Sequence, residues 1–469
     1  MVFASYEFLF KFLPTAIILY FIIGKLFTIK SQHLFLVLAS LFFYGYFNIS
    51  YLWIILISII VNYSISNFIE ANKSYRKSIF ILGLVFNLGL LGYFKYYNFF
   101  IDNINMIFRG SILVPSILLP LGISFFTFQQ ISFLIDIYRG KSLKYDFLSY
   151  CLFVTFFPQL VAGPIVLPTE MLPQFHDKNN GSLNYKNLNK GLYLLAIGLA
   201  KKIIIADSIA TFADVGFDTM TSLTMFEAWL TSLSYTMQLY FDFSGYCDIA
   251  MGVGLMFNIK LPQNFNSPYK STNIRDFWRR WHITLGRFLT NYLYIPLGGS
   301  RTGEGKTLRN LLIIFIVSGI WHGAGWNFIL WGLLHGIAIV IHRIWCNKGY
   351  SMNKFLGWIL TFNLVNILWV FFRSTTFNDA IKIITSMFNF KTMFLMLSAQ
   401  FRTSTVTLFG NPVTALFLLI AMGIAFLLPN PYEKNDFKPT LLTMIKTAVL
   451  LGLSIMFLGE NSAFLYFNF

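Results

Sequence analysis

Apolar runs of bilayer length recur from one end of this chain to the other, and each must keep its backbone hydrogen bonds inside the segment. They lie near 8–27, 33–48, 51–69, 78–100, 112–135, 147–166, 188–210, 224–241, 308–326, 327–346, 355–373, 380–398, 411–429 and 441–459. Runs of about 20 residues read as transmembrane helices, so the expected fold is an all-α polytopic integral membrane protein. Only 12% of residues are charged, against about 25% in a soluble domain. The 54 phenylalanines and 24 tyrosines suit lipid-facing surfaces and interfacial belts. The net charge of +16 then reflects basic loops at an anionic cytoplasmic leaflet, not a nucleic-acid partner.

The loops give an orientation. Lys25 and Lys30 follow the first run, and Lys73, Arg76 and Lys77 follow the third. Positive charge places both loops in the cytoplasm, which puts the N-terminus outside. Lys434 and Lys438 precede the last run; if that loop is cytoplasmic, the C-terminus is outside too. The first run has no basic segment before it and reads as a retained span. Cys151, Cys247 and Cys346 sit in apolar surroundings without CxxC or HExxH spacing, so neither a disulfide nor a metal site is expected.

Four segments concentrate chemistry. The first is LLIIFIVSGIWHGAGWNFILW, 311–331, with His322 beside Trp321, Trp326 and Asn327. An imidazole in a run this apolar is costly and marks a site. Alternatively it is an interface histidine bonded to a backbone carbonyl. Gly319, Gly323 and Gly325 beside the tryptophans point to a shaped cavity. The second is NIRDFWRRWHITLGR, 273–287. On one helix, Arg275, Arg279, His282 and Gly286 would share a face, with Trp278 and Trp281 next to it. Arginines suit a phosphate-bearing donor, since the guanidinium fork matches phosphate oxygens. An interfacial helix binding lipid phosphates would look the same.

The third is QLYFDFSGYCDIAMGVG, 238–254, where Asp242, Tyr246 and Asp248 lie among apolar residues. A carboxylate there needs a cation or a broken backbone as partner, and a structural salt bridge explains it as well as catalysis does. FFPQLVAGP, 156–164, reads as a re-entrant turn that serves as scaffold. The fourth is the aromatic end FLYFNF, 464–469, which contains Tyr466. On composition it is an interfacial anchor for the last helix. SRTGEGKT, 300–307, lacks the first glycine of a P-loop and no strand precedes it, so nucleotide binding of that kind is excluded. No GxSxG elbow is present.

Together, QLYFDFSGYCDIAMG, LPQNFNSPY, IRDFWRRWHITLGRFL, YIPLGG and SGIWHGAGWNFILWGLLHG resemble the membrane-bound O-acyltransferases. MVFASYEFLFKFLP, PLGISFFTFQQISFLIDIYRG and FFPQLVAGPI resemble their bacterial polysaccharide branch, which contains alginate and peptidoglycan O-acetyltransferases. The resemblance covers nearly the whole chain. It implies one membrane domain over 1–469, a bundle of about a dozen transmembrane and re-entrant helices around a central reaction chamber. Within it, N-terminal helices occupy 1–110, a catalytic core about 111–373, and C-terminal helices 374–463, followed by the tail 464–469.

By motif, the resemblance makes His322 the catalytic histidine, His282 the second histidine and Tyr466 an acyl-carrying hydroxyl. The implied donor is acetyl-CoA, with no permanently bound cofactor, held near Arg275, Arg279, Arg280, Trp278 and Trp281. His322 would act as general base on a hydroxyl reaching in from outside. The implied setting is the bacterial cytoplasmic membrane. An external SGNH-type acetyltransferase or esterase would pass the acetyl group to a polysaccharide. D-alanyl transfer to teichoic acid from a carrier protein, a polysaccharide or lipid transporter, and a non-catalytic assembly subunit are the competing readings.

Overall fold

A computed structural model describes residues 1–114, 117–141, 145–392, 412–432, 437–459 and 464–465. All regular structure among them is helical. Five of the described helices are long and apolar enough to cross a membrane: Glu7–Leu26, Ser50–Ala71, Arg76–Phe108, Trp326–Asn347 and Lys354–Arg373. Large apolar side chains lie exposed along them, among them Ile18, Trp53, Phe100, Ile341 and Leu360. In lipid that exposure costs nothing, because the solvent is as apolar as the side chain. The protein is therefore a multi-pass membrane protein. The described residues group into two compact units that alternate along the sequence.

The first unit comprises Met1–Ile197, Tyr246–Gln263 and Phe437–Val449. At its centre is the helix Ile123–Tyr138, in which nearly every side chain is buried. Polar groups tie it to its neighbours: Gln130 donates to Ser58 Oγ at 3.0 Å and accepts from Tyr150 OH at 3.2 Å. Asn62 and Asn87 exchange side-chain amide hydrogen bonds at 3.2 and 2.6 Å, the kind of polar link that joins helices where no hydrophobic force does. The expected span at 112–135 begins late. Residues 110–114 and 117–121 are not helical, and Gly122, at φ 71°, caps the start of the helix. A Cβ on Gly122 would lie 2.6 Å from the Leu160 carbonyl oxygen.

The proline-rich segment breaks as expected. Phe147–Thr155 ends before Phe156, and Phe157–Leu160 forms one further turn. Both are buried. Ser40 Oγ accepts from Phe157 N–H at 3.1 Å and Gln159 Nε2 donates to Phe153 O at 2.8 Å, which restores backbone pairing lost at the break. These bonds fit the scaffold reading.

The second unit comprises Gly198–Gly245, Asn264–Asp436 and Leu450–Phe469. Residues 225–245 of the helix Met225–Met256 belong to it. That helix has 32 residues, well beyond the expected 224–241. The helices Glu304–His322 and Trp326–Asn347 pack side by side. Glycines set their spacing: a Cβ on Gly319 would stand 2.3 Å from Phe328 O, and one on Gly332 would stand 2.3 Å from Phe315 O. The space at Gly323 is filled by the Phe328 ring. Gly319 and Gly323 therefore serve close packing, where the sequence pointed to a cavity.

Candidate active site

His322 is the last residue of Glu304–His322, and the chain turns through extended Gly323 immediately after it. Its side chain is buried among aromatic rings: Trp321 at 4.9 Å, Trp331 at 5.1 Å and Phe372 at 5.2 Å between centroids. Asn327, just after the turn, donates to Ser374 O at 2.9 Å and so ties it to the end of the helix Lys354–Arg373. Trp326, in contrast, is 62% exposed.

The basic segment is not one helix. Ile274–Arg280 ends at Trp281, and Ile283–Leu289 begins after His282, which sits at φ 47°, ψ 52°. A non-glycine residue in this left-handed region is uncommon and has to be held there. The holding group is Asn264. Its Oδ1 lies 3.1 Å from His282 Nδ1 and accepts from Thr284 N–H and Thr284 Oγ1 at 3.2 and 3.0 Å. The break rotates His282 into the protein, where it is 1% exposed. Burial lowers its pKa to about 3, so the ring is neutral at physiological pH. The His282 and His322 rings stand 6.2 Å apart, with Trp321 beside both. Two histidines forty residues apart in sequence thus share one aromatic enclosure.

A cavity of about 710 Å³ opens on the His282 side, lined by His282, Trp278, Arg275, Arg279, Gly286, Arg287 and Arg343; His322 stands behind His282 and does not line it. The predicted face of Arg275, Arg279, His282 and Gly286 does come together, through the break and not through helical periodicity. Two expected donor residues lie elsewhere. Arg280 pairs with Asp276 at 2.9 Å and reaches Asn266 O at 3.4 Å. Trp281 is packed between Phe277, Trp369 and Phe265. Neither lines the cavity. Arg287 and Arg343 do. Arg287 was legible as the end of the same basic segment. Arg343 lies on the second helix of the glycine-packed pair, and only tertiary structure brings it there.

Asp242 finds its cation in Lys202 at 2.7 Å, not in the basic segment. Lys202 also binds Asp207 at 2.8 Å. The other carboxylate oxygen of Asp242 accepts from Leu465 N–H at 3.0 Å. Phe464 is buried against Phe243, at 5.9 Å, and the edge of Phe243 meets His282 at 4.9 Å. The residue before Tyr466 is therefore held inside the unit. Tyr466 itself lies outside the described residues. Tyr246 and Asp248 belong to the first unit, where Tyr246 stacks on Phe3 at 4.9 Å and Asp248 is buried.

A family model described as MBOAT, membrane-bound O-acyltransferase family, matches residues 38–380 and so contains both histidines, the cavity and Asp242. The chain is a membrane-bound O-acyltransferase. It is 44% identical to the "Peptidoglycan O-acetyltransferase" of Helicobacter pylori, with 98% of this chain and 96% of that protein covered. It is 38% identical to the "Probable alginate O-acetylase AlgI" of Pseudomonas aeruginosa, over 92% of this chain and 83% of that protein. With the "Teichoic acid D-alanyltransferase" of Bacillus subtilis the identity is 29%, over 52% of this chain and 66% of that protein. As an acyltransferase of this family, the chain has to bring an activated acyl group and a hydroxyl together. The enclosure of His282 and His322 beside an arginine-lined cavity has the chemistry for that step.

Proposed function

We propose that this acyltransferase takes an acetyl group from cytoplasmic acetyl-CoA and passes it across the bacterial cytoplasmic membrane for O-acetylation of a cell-envelope polysaccharide, in the first instance peptidoglycan. The observation that carries this reading is the juxtaposition of His282 and His322, 6.2 Å apart, with His282 in the wall of an arginine-lined cavity. Near-full-length similarity to a peptidoglycan O-acetyltransferase favours acetyl over D-alanyl transfer, for which the likeness covers about half of this chain.

Arg275, Arg279 and Arg287 would hold the phosphates of the donor through their guanidinium forks, while the thioester reaches toward the histidines. The acceptor is the phenol of Tyr466. His322 removes the phenolic proton as the oxygen attacks the thioester carbonyl. The C–S bond breaks, the proton passes from the imidazolium to the leaving thiolate, and an acetyl-tyrosine ester remains. The bond from Leu465 to Asp242 supports this role, because it holds the residue before Tyr466 in the unit that carries both histidines. With both termini outside, an SGNH-type partner collects the acetyl group from Tyr466 and delivers it to the sugar, and CoA stays in the cytoplasm.

The test uses purified protein in lipid with acetyl-CoA. Thiol release and a mass increase of one acetyl group on the 464–469 peptide are expected. Both should vanish with His322→Ala and with Tyr466→Phe, since the phenol is the group that accepts the acetyl. Acetyl transfer to polysaccharide that survives Tyr466→Phe would remove the tyrosine from the route.

A further inference from the structure

The bonds around Asn264 decide more than the position of His282. Segment 264–266 runs alongside the helix break. Asn266 N–H donates to Arg280 O at 2.9 Å, and Ile283 N–H donates to Asn264 O at 3.0 Å. These main-chain bonds hold Asn264 opposite the His282 ring. Within that frame, the side-chain atom of Asn264 that meets His282 also meets the backbone N–H of Thr284 at 3.2 Å. A backbone N–H only donates, so that atom is the amide oxygen and not the nitrogen. An amide oxygen only accepts, so the ring nitrogen 3.1 Å away, Nδ1, carries the proton.

We infer that Asn264 is a positioning residue that selects the Nδ1–H tautomer of His282 and so leaves Nε2 as the basic nitrogen of that ring. A second group fixing which nitrogen of a histidine is protonated is a recurrent way of directing its chemistry. Asn264 is 1% exposed and cannot exchange this role with water. The other faces of the ring meet Phe243 from the helix Met225–Met256, and Trp321 and His322 from Glu304–His322. The nearby charged groups are Arg275 and Arg279 before the break and Arg287 after it, which line the same cavity. A neutral asparagine, in place of the aspartate that often fills such a position, leaves the ring uncharged among these cations.

The consequence for acyl transfer rests on His282 belonging to the machinery proposed above; the tautomer does not. The experiment has two arms. Protein labelled with ¹⁵N-histidine and reconstituted in lipid is examined by magic-angle-spinning NMR, with the His282 signals identified by their loss in His282→Gln. A pyrrole-like Nδ1 and a pyridine-like Nε2 are expected, and the opposite pair would overturn the inference. In the second arm, Asn264→Asp places a carboxylate against Nδ1–H. The His282 titration should rise by roughly one to three pH units, and acyl transfer should gain an acid limb that the parent lacks. A folded Asn264→Asp protein with an unmoved titration would overturn the contact itself. If the titration moves while the rate profile does not, the tautomer stands and the catalytic use of His282 fails. Asn264→Ser, which retains an acceptor oxygen, serves as the conservative variant should Asn264→Asp not fold.

Discussion

The carboxylate of Asp242 accepts a hydrogen bond of 3.0 Å from the backbone N–H of Leu465, 223 residues further along the chain. The same carboxylate is neutralised by Lys202 at 2.7 Å. One buried ion pair thus secures both the long helix and the tail that carries Tyr466. Replacing Asp242 by Ala should cost about 3 kcal/mol. That is the low end for breaking a buried pair, because Lys202 keeps Asp207. Asp242→Asn retains an acceptor for Leu465 and should fold better. It should protect the tail better than Asp242→Ala does, measured as slower proteolysis of the C-terminus and greater acetylation of Tyr466.

His322→Ala and His282→Ala should each lower acyl transfer by about 10²–10⁴-fold, the usual contribution of a positioned acid–base group. Donor binding should survive, since the arginines remain. Isothermal titration with a non-hydrolysable acetyl-CoA analogue separates the two effects. Unchanged turnover of correctly folded His322→Ala would remove it as base.

The arginines separate by where they point. Arg275→Ala and Arg279→Ala should raise the KM for acetyl-CoA by roughly ten- to a hundredfold each, from the loss of one charge-assisted contact of about 1.5–3 kcal/mol. Arg280→Ala should leave KM near the parent value, because Arg280 is engaged with Asp276 and Asn266. Steady-state kinetics on the three variants test the assignment of the cavity to the donor.

The helix pair carrying His322 depends on its glycines. A methyl group at Gly319 would stand 2.3 Å from Phe328 O, so Gly319→Ala should destabilise the protein by about 1–3 kcal/mol as the helices are forced apart. At Gly325 the nearest atom would be 3.5 Å away, and Gly325→Ala should be tolerated. Thermal unfolding in detergent distinguishes the two.

Acid should weaken the fold through His282. An unfolded histidine titrates near 6.5 and the buried ring near 3, so between these values the unfolded chain binds a proton that the native state does not. Stability therefore falls as pH drops through that window. The melting temperature of the parent should decline more between pH 7 and 4.5 than that of His282→Asn, compared in the same detergent.

The helical class, the broken segment at 156–164 and the buried setting of His322 were legible in the sequence. Each is a local property: apolar length, prolines within an apolar run, an imidazole in surroundings that penalise it; His282 stood out only through its motif. The basic segment was legible as a set of residues but not as a shape. A helical wheel puts Arg275, Arg279, His282 and Gly286 on one side, whereas the chain breaks at His282 to bring them together. Nothing in 273–287 announces that break, because what holds it is Asn264, nine residues upstream.

The sequence by itself determined that this chain lives in a membrane as helices and, through its long motifs, that it belongs among the acyltransferases. The first follows from transfer energies, which act within a segment, and the second from the order of residues along the chain. Tertiary structure alone decided the partners. Lys202 neutralises Asp242, Arg343 joins the cavity, Arg280 and Trp281 turn away from it, and Asn264 sets the orientation of His282. Such pairings are fixed by which groups remain to be satisfied once the helices pack, and that demand arises only between segments distant in the chain.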